Sequence, residues 1–172
     1  MGARQALARV AMDGFCVIEG AIPADDVSAV RESVERSTAE HCRKEARVRG
    51  IGHVPGFMRY NQSLAPYVAD PRLMALIEGL LGPAARVSYV TATINHPGNR
   101  RGSWHADWPF NQKNAGRIPA PYPDAVMHLT TLWMLSPFTD ANGGTLLVPG
   151  SHRQPTNPTA VSYTHLTLPT KA

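Results

Sequence analysis

His105-Ala106-Asp107 places an imidazole and a carboxylate two residues apart in a stretch that reads as strand. Alternate side chains of a strand share a face, so the two groups can converge on one point. Together they make two-thirds of the two-histidine, one-carboxylate set that binds non-haem iron(II) on one side and leaves the other positions open. The same spacing also suits a surface strand whose His and Asp pair with each other, because a three-residue pattern is weak alone. Trp104 and Trp108 flank the pair, either as pocket walls or as ordinary packing. His128 sits in an apolar strand pattern, where hydrogen-bonded core is the commoner role. His96 precedes Pro97 in a turn, and His41 and His53 have no chemical context.

The elements that must hold this pair fall into two parts. Helical spacing covers residues 3–13, ended by Gly14. A longer helix starts near Pro23, with Asp25 and Asp26 in its first turn and Val27, Val30 and Val34 on one face; Gly50 and Gly52 end that region. A third helix has Asp70 as cap, Pro71 at its first position and Gly82 as its stop, with Leu73, Met74, Ile77, Leu80 and Leu81 as its apolar face. Residues 15–18 read as a brief strand. After Pro83 the pattern alternates, predicting strands at 87–95, 103–107, 126–135 and 145–148, with turns at 96–99 and 142–144. The loop 108–124 holds four prolines, and its length suggests a lid over a site or a plain insertion. The expectation is a mainly β domain with flanking N-terminal helices.

Composition narrows the class. With 172 residues, 43% hydrophobic and 17% charged, the chain can bury one core and should fold as one domain. The net charge of +4 suits an anionic small molecule. Nucleic acid is not expected as a partner: Arg43, Lys44, Arg47 and Arg49 cluster at a helix end, where cations suit the macrodipole, and no aromatic-plus-basic module accompanies them. No apolar run is long enough to span a membrane. Cys16 and Cys42 form no disulfide framework, so a reducing, cytoplasmic setting is expected. Oligomeric state is not legible.

The run Trp104-His105-Ala106-Asp107-Trp108-Pro109-Phe110 and, further on, Asn142-Gly143-Gly144-Thr145-Leu146-Leu147-Val148-Pro149-Gly150-Ser151-His152 resemble the phytanoyl-CoA dioxygenase family of iron(II)- and 2-oxoglutarate-dependent oxygenases. The stretch Asp13-Gly14-Phe15-Cys16-Val17-Ile18 and the helix ending in Leu80-Leu81-Gly82 match the same layout, so the resemblance runs from about Asp13 to Arg153. It implies a double-stranded β-helix (a cupin-like jelly roll) with helices packed on one side. It also implies Fe(2+) held by His105 and Asp107, O2 as oxidant, and 2-oxoglutarate converted to succinate and CO2 as a small organic substrate is hydroxylated. Trp133 falls where relatives contact 2-oxoglutarate, although Leu132 and Leu135 beside it make core equally good. Asn95 stands where some relatives place a polar group toward the cosubstrate; an Asn before a turn also serves local backbone. His152 is expected to order its loop rather than bind metal. Trp108, Arg117 and Tyr122 are the lid residues expected near substrate. Asp107 argues against a halogenase, whose relatives carry a small residue there.

The family pattern further requires a later histidine ligand and then an arginine, whose guanidinium fork suits the far carboxylate of 2-oxoglutarate. After Arg153 this sequence holds His165 alone, early for that role and with no arginine following. Residues 161–172 do not resemble the family. The expectation is therefore a domain of residues 1–160 lacking its closing strands, with 161–172 a non-native tail. Such a chain would be an inactive fragment with an exposed sheet edge. The rival expectation is a non-catalytic cupin-like protein that binds a metal or ligand.

Overall fold

The computed structural model describes residues 1–42, 51–99, 102, 104–108, 118–156 and 158. In chain order it places α1 (Ala3–Asp13), α2 (Ala24–His41), β1 (Ile51–Pro55), a 3-10 turn (Phe57–Arg59), α3 (Ala65–Val68), α4 (Pro71–Leu81) and β2 (Thr91–Asn95). Two more 3-10 turns follow at Asp140–Asn142 and Ser151–Arg153.

α1 buries Ala6 and Val10, four residues apart, against Leu76 of α4. Leu7 reaches Gly79, where an added Cβ would come within 2.9 Å of the leucine side chain. That missing side chain lets the two helices close. Cys16 and Ile18 join the same cluster. The extended stretch expected at 15–18 therefore packs on the helices and, among the described residues, joins no ladder. The second cluster lies under α2, whose Val30, Val34 and Thr38 follow one face. Val30 and Val34 meet Val54, Phe57, Leu64 and Ala92, and Trp133 and Leu135 pack at its edge. Phe57 and Val54 are sealed from solvent; truncating such a phenylalanine to alanine typically costs about 3–5 kcal/mol.

β1 and β2 pair antiparallel, with Gly52 opposite Ile94 and Val54 opposite Ala92. β1 was not expected: Gly52 lies within a strand and does not end the preceding region. Its glycine and terminal proline mask a strand pattern, and the pairing itself supplies the signal. β2 covers only the end of the expected strand 87–95, since Val87 and Tyr89 are exposed. In α4 the buried residues are Leu73 and Leu76, the latter outside the expected face. Among the described residues the sheet has two strands. The expected strands at 104–107, 126–135 and 145–148 run without ladder partners there, and residue 103 lies outside the described residues. A strand exists only through its neighbour, so alternation without a ladder leaves irregular chain. Where the resemblance implies a jelly roll, the described residues form helices and one two-stranded sheet.

α4 begins as expected. Asp70 accepts the Arg72 N–H at 2.7 Å, and the Arg72 guanidinium folds back onto both Asp70 oxygens while donating to Gly20 O at 2.9 Å. The Arg72 side chain first, then its backbone N–H, hold the Asp70 carboxyl down from 3.8 to about 2. The sign follows from that depression. The stabilisation is present above the unfolded pKa and is lost as pH falls from about 4 toward 2. Urea denaturation of wild type and Asp70→Asn should show a gap that closes across this window; a gap constant from about pH 5 to 2 would remove Asp70 as its source.

Candidate metal centre

His105 and Asp107 lie on irregular chain, yet their side chains meet: Nε2 of His105 stands 3.4 Å from Oδ1 of Asp107. The same-side relation expected of alternate residues therefore survives without a ladder. Two donors sharing one divalent ion at about 2.1 Å each stand roughly 3 Å apart across a right angle, so the pair is spaced to share a cation. An imidazole nitrogen with a carboxylate oxygen is also the donor chemistry that suits iron(II). The pair is open, with side chains 61% and 47% exposed, and does not sit in an enclosed hollow. Among the described residues no group of three His, Cys, Asp or Glu side chains converges.

Thr130 was missed by the sequence reading. Its hydroxyl donates to Oδ2 of Asp107 at 2.6 Å, and its oxygen lies 3.0 Å from Nε2 of His128. A threonine inside an expected strand looks like an ordinary strand former, and only the fold brings it to a residue 23 positions away. Trp108 and Tyr122, both expected near substrate, come together edge to face with centroids 5.4 Å apart. The Tyr122 N–H donates to Pro155 O at 2.8 Å, which fixes the far end of the loop 108–124. Arg117 lies outside the described residues.

Trp133 donates from Nε1 to Thr131 Oγ1 at 3.1 Å and packs against the α2 cluster. Asn95 accepts from Asn99 at 2.9 Å and donates to Gly143 O at 3.3 Å, joining the turn after β2 to the Asn142-Gly143-Gly144 turn. A groove of about 430 Å³ between α2 and the sheet is lined by Glu35, Thr38, Cys42, Gly52, Ile94 and His96, and includes neither His105 nor Asp107.

The Pro-Gly-Ser-His segment docks on the end of α1. Gly150 N–H donates to Asp13 O at 2.8 Å, His152 Nε2 donates to Ala11 O at 3.3 Å, and Arg153 also donates to Ala11 O. These contacts satisfy carbonyls that a helix leaves without partners at its end. Gly14, at φ +86°, lets His152 in; a Cβ there would stand 2.5 Å from the imidazole Nδ1. Gly20 has φ +62° with nothing near its missing Cβ. Gly14→Ala should therefore lower stability by about 1–3 kcal/mol from backbone strain plus the clash, and more than Gly20→Ala, which carries strain alone. Equal urea midpoints for the two variants would remove the docking contact from the account.

Residues 11–170 match the family described as Phytanoyl-CoA dioxygenase. The "Ectoine dioxygenase" of Bordetella parapertussis is 31% identical over 156 residues, covering 83% of this chain and 47% of that protein. The "Dioxygenase af480" of Aspergillus fumigatus is 33% identical over 86 residues, covering 50% of this chain and 26% of its own length. The matched regions thus span no more than about half of either relative. No solved structure is matched.

Proposed function

Because this chain belongs to the phytanoyl-CoA dioxygenase family, we propose that it carries part of the metal centre of an iron(II)- and 2-oxoglutarate-dependent dioxygenase that hydroxylates a small organic substrate. The observation behind this is the 3.4 Å approach of His105 Nε2 to Asp107 Oδ1, inside the matched region and in a dioxygenase-related sequence. A cupin-like jelly roll and a cytoplasmic, reducing setting belong to the same proposal; the latter draws on Cys16 and Cys42 being free thiols.

His105 would hold the ion through Nε2 and Asp107 through Oδ1. When bound, the ion would supply a Lewis-acidic centre at which 2-oxoglutarate and O2 meet, with succinate and CO2 as cosubstrate products. The chain's own part is positional. His105 must present Nε2 without its proton, which leaves the ring proton on Nδ1. Asp107 would offer one oxygen to the ion, while the other accepts from Thr130. Half-buried Trp104 and Trp108 lie on either side of the pair in sequence. Trp133 and Asn95 are proposed as 2-oxoglutarate contacts on the strength of the family resemblance.

In this proposal the loop 108–124 covers substrate, supported by the Trp108–Tyr122 contact at its two ends; Arg117 is assigned to the same lid. Exchanging that loop for a relative's should change substrate preference in the full-length oxygenase while leaving metal affinity near its starting value. Lost metal affinity with unchanged preference would count against a lid.

One observation favours a second reading, a non-catalytic cupin-like binder: the pair is more open than a water-excluding oxidation requires. Anaerobic titration of the chain with Fe(II) separates the possibilities. His105→Ala and Asp107→Ala should each weaken binding by about tenfold or more. Equal affinity in wild type and both variants would remove the centre and leave the binder.

A further inference from the structure

The two oxygens of Asp107 keep different company. Oδ1 faces His105 Nε2 at 3.4 Å, whereas Oδ2 accepts the Thr130 hydroxyl at 2.6 Å, a length typical of an O–H donor on a carboxylate. A hydroxyl has one hydrogen, and here it goes to Asp107. Thr130 Oγ1 must then accept from His128 Nε2 at 3.0 Å, which places a ring proton on that nitrogen. His128 and Thr130 are two positions apart, and their 3.0 Å contact brings the two side chains to the same side.

We infer that Thr130 is a positioning residue of the metal centre: it engages Oδ2 and leaves Oδ1 as the oxygen that binds metal beside His105, while His128 sets the direction of the Thr130 hydroxyl. This rests on the metal-site proposal above. A carboxylate binding through both oxygens takes two positions around an ion; held at one oxygen, it leaves a position open. Hydrogen bonds to ligating carboxylates orient them, and their loss commonly weakens metal affinity by about 10- to 100-fold.

The test is calorimetric titration of the metal-stripped 172-residue chain with Co(II), with far-UV circular dichroism of each variant. Thr130→Val keeps the shape without the hydroxyl and should bind about 10- to 100-fold more weakly. Thr130→Ser restores the hydroxyl and should bind close to wild type. His128→Phe should lose less than Thr130→Val, since it leaves the hydroxyl on Asp107 in place. Thr130 is exposed, so both Val and Ala should be accommodated; if Val disturbs the fold, Thr130→Ala carries the same expectation. Wild-type affinity in the hydroxyl-free variant, or an equal loss in Thr130→Ser, would overturn the inference. His105→Ala and Asp107→Ala run alongside: if they bind weakly while Thr130→Val does not, only the positioning role is wrong. If they too bind like wild type, the metal centre itself is gone.

Discussion

The ladder between β1 and β2 is the constraint on which the described structure turns. It joins His53 to Thr93 across 40 residues, and the intervening chain must fold back within that span. Closing so long a loop has an entropic cost that grows slowly with length, offset by what the closure buries. Val54 and Ala92, facing one another across the ladder, both enter the cluster beneath α2. Phe57 follows directly after β1, its N–H donating to Val90 O at 2.9 Å just ahead of β2. Hydrogen bonding and apolar burial therefore act on the same few residues, and loss of either would loosen both.

α2 is held against this strand pair by a polar contact as well as an apolar one. The Nδ2 of buried Asn61 lies 2.8–3.0 Å from Ser33 O, Ser33 Oγ and Ser37 Oγ, which share its two hydrogens, and its Oδ1 accepts from Ser63 N–H at 2.8 Å. A buried amide is tolerated only when its donors and acceptor are engaged, and each group left without a partner costs about 1–3 kcal/mol. Valines at helical spacing allow α2 to slide along an apolar surface; an amide that must meet two serines one turn apart does not. The polar contact sets the register that the valines leave open.

What could be read beforehand was local. α1 and α4 run between the residues expected, because Gly14 at positive φ, Asp70 as cap and Pro71 at the first turn act within a few positions of where they stand. The His105–Asp107 approach was legible for the same reason, since two residues of separation suffice. β1 was not legible, because Gly52 and Pro55 are poor strand formers and their strand exists through β2. Nor was the role of Thr130, or the docking of the Pro-Gly-Ser-His segment on carbonyls of α1 some 140 residues earlier. Alternation at 126–135 and 145–148 predicted strands where the described chain is irregular. Period-two patterning records which side chains could share a face; a ladder requires a neighbour in register.

The candidate centre combines both kinds of information. His105 and Asp107 come from neighbouring positions, whereas the hydroxyl bonded to Asp107 comes from a segment that also feeds the core through Trp133 and Leu135. Thr130 and Trp133 are three residues apart, so a shift of that segment moves the hydroxyl on Asp107 and the indole in the α2 cluster together. Packing beneath α2 is thereby connected to the carboxylate through one short stretch of backbone. A substitution in the core at Val54 or Phe57 should therefore be felt at Asp107 without touching it, through the freedom it gives residues 130–135. This connection is physical rather than sequential: the segment bonded to Asp107 packs, through half-buried Trp133 and Leu135, against the cluster that holds Val54 and Phe57.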